Sequence, residues 1–357
     1  EMPIRDQQKV RRAAAAGRFY EGDALSLRRR MAETEAGLPP EVPAGKTVRG
    51  CVLPHAGYMF SLGVAMETLR AARHCGCSKV VLLGPSHYVG FRGIAAATFT
   101  SWRTPFGDLS TATDLLDVLE AERNPLVMVN DDAHINEHSL EVQFPLIQYF
   151  FDAPVVLPLV VGGISAEDAQ SLGAALAKLD APDVLWLISS DFTHYGRKFR
   201  YTPFGESADP AELNRLDREA AELIAARDLT GFVKFLGRTG ATICGAHPIA
   251  IYLAMLDRLD PERTVRGRVA AMADSGAVSG DYRTVVLAPS NVQEAVDFVQ
   301  EAFDIADQYR NPVVVLADGL IGQMMEPIEW RDIPKRNLPS KDSWATTGLK
   351  GRTEHNT

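Results

Sequence analysis

Eight histidines and four cysteines stand in this 357-residue chain, and their positions carry more than their number. Three apolar runs end in histidine or aspartate: CVLPHAGY places His55, VVLLGPSHY places His87, and LWLISSDFTHY places Asp191 and His194. Two other segments share that character. HINEHSLEVQ carries Glu137, His138 and Glu141, and TICGAHPI carries Cys244 and His247 at a Gly/Pro-marked turn before a helical stretch. Neutral imidazole, thiolate and carboxylate are the protein ligands of iron, copper and zinc. Two histidines and one anionic ligand, with positions left open, let a divalent iron take substrate and dioxygen together. A cysteine in the anionic place softens the site towards Cu(I), zinc or a redox role. A single histidine after a strand is more often a hydrogen-bonded structural residue, but several after separate strands make a metal pocket an equal alternative. Cys244, beside imidazoles and at an expected helix start, is expected to have a depressed thiol pKa.

The remaining candidates read as structural. Cys51 falls inside an apolar run and fits a core residue. Cys75 and Cys77 in HCGCSK lack the second half of a metal clip, and His74, His134 and His355 read as surface residues. Gly84-Pro85-Ser86 lacks the G-x-x-x-x-G-K-[ST] pattern, and no G-x-G-x-x-G opens a helix, which disfavours nucleotide binding. Ser86, Ser189 and Ser190 lie near histidines without a G-x-S-x-G elbow.

These loops need elements to hold them. The runs Thr47–Leu53, Lys79–Leu83, Ala153–Val161 and Val184–Ile188 are short, β-branched and almost continuous, as strands buried on both faces are. Between them, Leu140, Phe144, Ile147 and Phe151 fall on one helical face, Leu213–Ala226 and Ile249–Leu259 are amphipathic, and Ala166–Leu179 is rich in Ala and Leu. A further helix is expected over about Asp23–Glu35, followed by a loop marked by Pro39, Pro40 and Pro43. Strands alternating with helices predict an α/β fold, a layered sheet with flanking helices. In such sheets ligands bind at the carboxyl ends of the strands, where His55, His87 and Asp191 fall.

Composition narrows the function. Apolar residues make 46% and charged residues 23% of the chain, an ordinary globular balance that excludes disorder and coiled coil. With 37 Lys and Arg against 46 Asp and Glu, the net charge is −9, a poor match to nucleic acid or anionic membrane. No apolar stretch approaches the ~20 residues of a membrane span. The first twenty residues have no apolar segment and read as no signal peptide, and four cysteines make no disulfide framework. The cytoplasm is the expected compartment.

The blocks AAGRFYEGD, PHAGYMFS, LLGPSHYVGFRG, NEHSLEVQFPL, SSDFTHYG and TICGAHPI, in that order over about residues 12–281, resemble the Memo family, AmmeMemoRadiSam system protein B. The resemblance implies a fold like that of class III extradiol dioxygenases, which are non-haem iron enzymes. It implies that iron or copper is held by His55, His87 and Cys244, with Asp191, His194 and His138 as further pocket residues. Asp191 would orient a ligand or a bound water, and His138 and His194 would be the acid/base candidates. Because those dioxygenases use a carboxylate where this family has cysteine, ring-opening activity does not follow from the fold. Leu62 replaces the glycine usual after PHAGY. The family name implies an AMMECR-type protein and a radical SAM protein as partners. Animal relatives, described as binding phosphotyrosine peptides, imply a rival reading as a non-catalytic binding module or scaffold.

From about Tyr282 the chain resembles part of the α subunit of 2-oxoacid:ferredoxin oxidoreductases, most specifically in APSNVQEAVD and NPVVVLADGLIGQMMEP. The expected domains are 1–281, this fragment at 282–329, and a polar, flexible tail at 330–357. The fragment reads as strand (Thr284–Ala288), helix (Val292–Tyr309) and strand (Pro312–Leu316), with the first strand expected to close the main sheet. That family's thiamine diphosphate site draws on parts absent here, so no thiamine-dependent activity is expected.

Overall fold

The computed structural model describes residues 9–39, 48–205, 209–275, 285–287, 289, 291–309, 313–315 and 326–330. The chain divides into two compact units, Glu1–Ala273 and Asp274–Thr357. In the first, β1 (Val10–Arg11) precedes α1 (Ala24–Gly37), whose cap Asp23 accepts a hydrogen bond from the Ser26 N–H. Then follow β2 (Gly50–Leu53), α2 (Tyr58–Arg70), β3 (Lys79–Pro85), β4 (Ile94–Ala96), β5 (Ser101–Thr104), β6 (Gly107–Ser110), α3 (Thr113–Ala121) and β7 (Val127–Val129). The short helices α4 (Asp132–Ile135), α5 (His138–Glu141) and α6 (Phe144–Phe150) lead into β8 (Val155–Val161), α7 (Ala166–Leu176) and β9 (Val184–Ser189). Three helices complete the unit: α8 (Pro210–Ala225), α9 (Leu229–Thr239) and α10 (Ala246–Leu259).

The main sheet has the order β2-β9-β3-β8-β4-β7 and is parallel except for the β4–β8 pair. Its alternating residues divide between two cores. Val80, Leu82, Val156, Leu185 and Leu187 pack with Leu27, Met66 and Phe144 from α1, α2 and α6. Val81, Leu83, Leu157, Trp186 and Ile188 pack with Leu172, Phe232 and Met255 from α7, α9 and α10. Burial on both faces is why the runs that form β3, β8 and β9 are almost continuously apolar, whereas β2, at the edge, alternates buried and half-buried residues. The expected α/β sheet with helices on both sides is present.

Several elements differ from the sequence expectation. β4, β7 and the small sheet β1-β5-β6 escape it, because runs of two to four residues have too little periodicity to read. The helical stripe from Leu140 to Phe151 is two helices, although all four of its residues are buried. At the break the Gln143 amide leaves the helix surface to bond elsewhere, and Pro145 opens the next helix.

In the second unit β10 (Val285–Leu287), α11 (Val292–Tyr309) and β11 (Val313–Val315) form strand, helix and strand. The expectation that Thr284–Ala288 closes the main sheet is corrected. Its described part, Val285–Leu287, pairs in parallel with Val313–Val315. A strand–helix–strand connection brings two valine-rich runs together locally, as parallel pairing requires. Apart from Trp330, the tail expected to be flexible lies outside the described residues, as do Pro40, Pro43 and His355. Among the described residues no helix is long and apolar enough to cross a membrane.

Candidate metal centre

β2, β9 and β3 are neighbours, all parallel, so their carboxyl ends open on the same side of the sheet. His55 follows β2 by two residues, Asp191 follows β9 by two, and His87 follows β3 by two. The outer two strands lie two inter-strand spacings apart, ~9–10 Å, a gap that two inward-turned imidazoles span. Cys244 arrives from the other direction, on the loop before α10, whose cap is Gly245. One nitrogen of His55, one of His87 and the Cys244 sulfur lie within 4.8 Å of one another. Ligands at ~2.0–2.3 Å from one ion must approach each other in this way, so the donor set fits a first-row metal.

Gly245 makes the approach of Cys244 possible. A Cβ there would stand 2.3 Å from Ser190 Cβ and 2.8 Å from the Ser189 carbonyl oxygen. The Gly245 N–H donates to Ser190 Oγ at 3.1 Å, which holds the loop against the end of β9. Cys244 Sγ lies 3.2 Å from His55 Nε2 and accepts the Asp191 backbone N–H at 3.2 Å. The Asp191 carboxylate brings Oδ2 to 3.9 Å from His55 Nε2 but is not one of the three converging ligand groups. Its Oδ1 accepts the backbone N–H groups of His55 (2.8 Å) and Ala56 (3.1 Å), fixing the loop that carries the first imidazole.

Burial sets the electrostatics. It pushes the Cys244 thiol up to about 12, with the Asp191 charge adding to the effect. The expectation of a depressed thiol is therefore corrected for the metal-free chain, because desolvation of a thiolate outweighs the helix terminus. Burial lowers the His55 pKa to about 4, against an opposing pull from Asp191. Burial would raise Glu137, but hydrogen bonds from the His87 ring and backbone outweigh it and bring it to about 2. His138 is lowered by burial and by its neighbour His87.

His138 completes a group of three rings. Its centroid lies 4.5 Å from His87, stacked at 30°, and 5.6 Å from His55, with Phe19 at 4.5 Å on another side. Tyr88, 56% exposed, brings its hydroxyl to 3.4 Å from His138 Nδ1. His87, Glu137 and His138 form a second convergent group. His194 joins neither group. Its backbone N–H donates to Thr242 Oγ1 at 2.9 Å, its Nδ1 to the Thr242 carbonyl at 3.1 Å, and its ring lies against Phe199. His247, exposed, bonds the Gly162 carbonyl.

His134, read as a surface residue, is buried, and its Nε2 donates to the Ala95 carbonyl at 2.9 Å. Its pKa is lowered by burial to about 4, as for His55. Each ring is neutral when folded and takes a proton near 6.5 when unfolded. Stability is therefore retained above pH 6.5 and lost as pH falls from 6.5 towards 4, by about 1.4 kcal/mol per unit for each ring. Urea unfolding of the metal-free chain across that range is expected to show uptake of about two protons from these residues. A midpoint flat from pH 6.5 to 4.5 would contradict it.

Sequence reasoning passed over Arg11, Gln143 and the role of Ser189. Arg11 pairs with Glu141, and its other nitrogens donate to the carbonyls of His134 (3.0 Å) and Glu137 (2.8 Å). Glu141 also accepts from Ala14 N–H, Ala15 N–H and the Tyr20 hydroxyl, tying to α5 the segment that carries Phe19. The available signal was polarity out of place: Gln143 inside an apolar helical stripe and Ser189 closing an apolar strand.

Residues 11–292 match the family described as Memo-like protein. The chain belongs to that family. A MEMO1 family protein of Methanopyrus kandleri is 33% identical over 290 residues, covering 77% of this chain and 96% of that protein. The protein memo-1 homolog of Caenorhabditis elegans is 30% identical, covering 69% and 71% respectively. Protein MEMO1 of Xenopus laevis is 30% identical, covering 68% and 83%. Among solved structures, uncharacterized protein JW3007 of Escherichia coli K12 shows a TM-score of 0.37 and 16% identity, covering 53% of this chain and 81% of that one. That likeness is too distant to bear on fold or function. Residues 263–346 match a second family, described as pyruvate flavodoxin/ferredoxin oxidoreductase, thiamine diP-bdg. The Memo-like chain thus carries a C-terminal segment of different affinity, and all the convergent residues lie before it.

Proposed function

We propose that this Memo-like chain is a metal-binding protein in which His55, His87 and Cys244 hold iron or copper. The observation that carries the reading is the convergence of two imidazole nitrogens and one thiol sulfur within 4.8 Å, from three separate loops. A bound ion of this kind supplies one-electron or dioxygen chemistry, in a site related to that of non-haem extradiol dioxygenases. Asp191 positions the His55 loop through two backbone N–H groups. His138, stacked on His87 beside Phe19 and Tyr88, is the acid/base candidate for a ligand entering beside His87. His194 is assigned to holding the Thr242 loop that leads to Cys244 rather than to proton transfer. The proposal includes an AMMECR-type protein and a radical SAM protein as partners, in keeping with the family resemblance, and the cytoplasm as the compartment, in keeping with the cysteine usage.

The test is metal quantitation on protein purified anaerobically without chelator, since oxidation of a thiolate site erases the evidence. Near-stoichiometric iron or copper in the wild type, lost in His55→Ala, is the expected result. Metal-free wild type that binds a phosphotyrosine peptide would overturn it in favour of a binding module.

A further inference from the structure

The imidazoles of His55 and His87 each bring a nitrogen into the convergent group, and the Nδ1 of each lies at hydrogen-bond distance from a fixed partner. Which nitrogen carries the proton decides whether the facing one has a lone pair to give. For His55 the surroundings decide it. Ser189 Oγ has three neighbours: the Ser139 carbonyl at 2.6 Å, Gln143 Nε2 at 3.0 Å and His55 Nδ1 at 2.9 Å. A carbonyl only accepts, so the single hydroxyl proton of Ser189 goes to Ser139. Gln143 Nε2 also lies 2.8 Å from the Pro54 carbonyl, which fixes the amide with its nitrogen as donor. The Ser189 oxygen must therefore accept from His55, whose Nδ1 carries the proton and whose Nε2 is bare, 3.2 Å from Cys244 Sγ.

His87 reaches the same state by another route. Its Nδ1 lies 2.8 Å from Glu137 Oε1, its backbone N–H donates to Oε2 at 2.7 Å, and the Ser139 N–H donates to Oε1 at 2.9 Å. A carboxylate gathering donors on both oxygens accepts from the ring as well. The two arrangements meet at one residue. Ser139 receives the Ser189 hydroxyl on its carbonyl and gives its N–H to Glu137. Its own hydroxyl donates to the Pro85 carbonyl at the end of β3. Gly84 leaves room for that turn, since a Cβ there would stand 2.8 Å from Ser139 Oγ and 2.6 Å from Leu140 Cδ2.

We propose that Ser189 and Glu137, joined through Ser139, are positioning residues that lock His55 and His87 in the Nδ1–H form before any ion arrives. The His55 Nε2 lone pair then faces Cys244 at 3.2 Å, the His87 Nε2 is left unprotonated, and a metal meets a site that needs no proton moved on either ring. This inference rests on the metal-binding reading for its purpose but not for its geometry. Outer hydrogen bonds of this kind typically contribute ten- to a hundredfold to metal affinity.

The test uses the full-length, metal-free chain labelled with [15N]histidine, at pH 8, where an imidazole of ordinary pKa is neutral. Nitrogen shifts are expected to show Nδ1 protonated and Nε2 bare in both His55 and His87. In Ser189→Ala, His55 is expected to lose its single form while His87 keeps it. The Kd for Co(II) is expected to rise about ten- to a hundredfold, and Ser189→Thr, which retains the hydroxyl, is expected to restore both readings. A wild-type His55 that is mixed or protonated on Nε2 would overturn the proposal. So would a folded Ser189→Ala with unchanged shifts and Kd. If Ser189→Ala does not fold, the wild-type spectrum alone decides. Wild type that binds no Co(II) sinks the metal reading and leaves the tautomer measurement, made without metal, to stand or fall by itself.

Discussion

Cys244→Ser is expected to weaken binding of iron or copper by about a hundred- to a thousandfold. Structural zinc sites with four ligands yield about 10–16 kcal/mol, so one ligand accounts for roughly 3–4 kcal/mol. At 1.4 kcal/mol for each factor of ten, that is the stated loss. Serine is nearly isosteric, so the fold is expected to survive and the effect to report on the donor atom. The pH dependence sharpens the test. Burial holds the thiol protonated, at about 12, so a metal must displace that proton. His55, lowered to about 4, has none to lose near neutrality. The cysteine therefore contributes one released proton per ion, and affinity is expected to rise about tenfold per pH unit from 7 to 9. Competition titration against a chelator at several pH values measures both quantities. Equal affinity and equal slope in Cys244→Ser would remove the thiol from the site.

Arg11→Ala is expected to cost about 3–5 kcal/mol of stability, because it leaves the wholly buried Glu141 carboxylate without its cation. Buried ion pairs are often replaceable by apolar residues, but this one is not isolated. Glu141 also ends the hydrogen bonds of two backbone N–H groups and the Tyr20 hydroxyl. The double variant Arg11→Met, Glu141→Leu is therefore expected to recover little, since those three donors would lose their acceptor. Urea unfolding of the full chain measures both variants. A double variant as stable as wild type would show that the donors find other partners. The same tie holds Phe19 against His138, so Arg11→Ala is expected to loosen one wall of the candidate site.

The strands and the site residues differ in how far the sequence displays them. β3, β8 and β9, strands of six or seven residues, announce themselves because burial on both faces demands nearly continuous apolar runs. β4 and β7 do not, since three residues hold too little periodicity, and a strand at that margin depends on its neighbours. His55, His87 and Cys244 were recognisable as candidates from their type and their place after strands or before a helix. Their convergence was not. It follows from β2, β9 and β3 being adjacent and parallel, an order that no local pattern encodes.

The same division separates His134 from His55. Both are lone histidines in sequence, and both are buried, yet one bonds a carbonyl and the other faces a thiol. The sequence by itself determined the α/β class, the Memo-like blocks, the donor types available and the foreign character of the C-terminal segment. Those properties are local, resting on residue type and short-range periodicity. Only the tertiary structure decided that Val285–Leu287 pairs with Val313–Val315, that the Cys244 thiol is raised rather than lowered, and that Ser189 bonds the His55 ring at Nδ1 while the Asp191 carboxylate bonds its backbone. Each of these depends on which groups more than fifty residues apart, or on either side of a helix, end in contact. Burial and hydrogen-bond partners are properties of the packed molecule, and a residue's own type does not specify them.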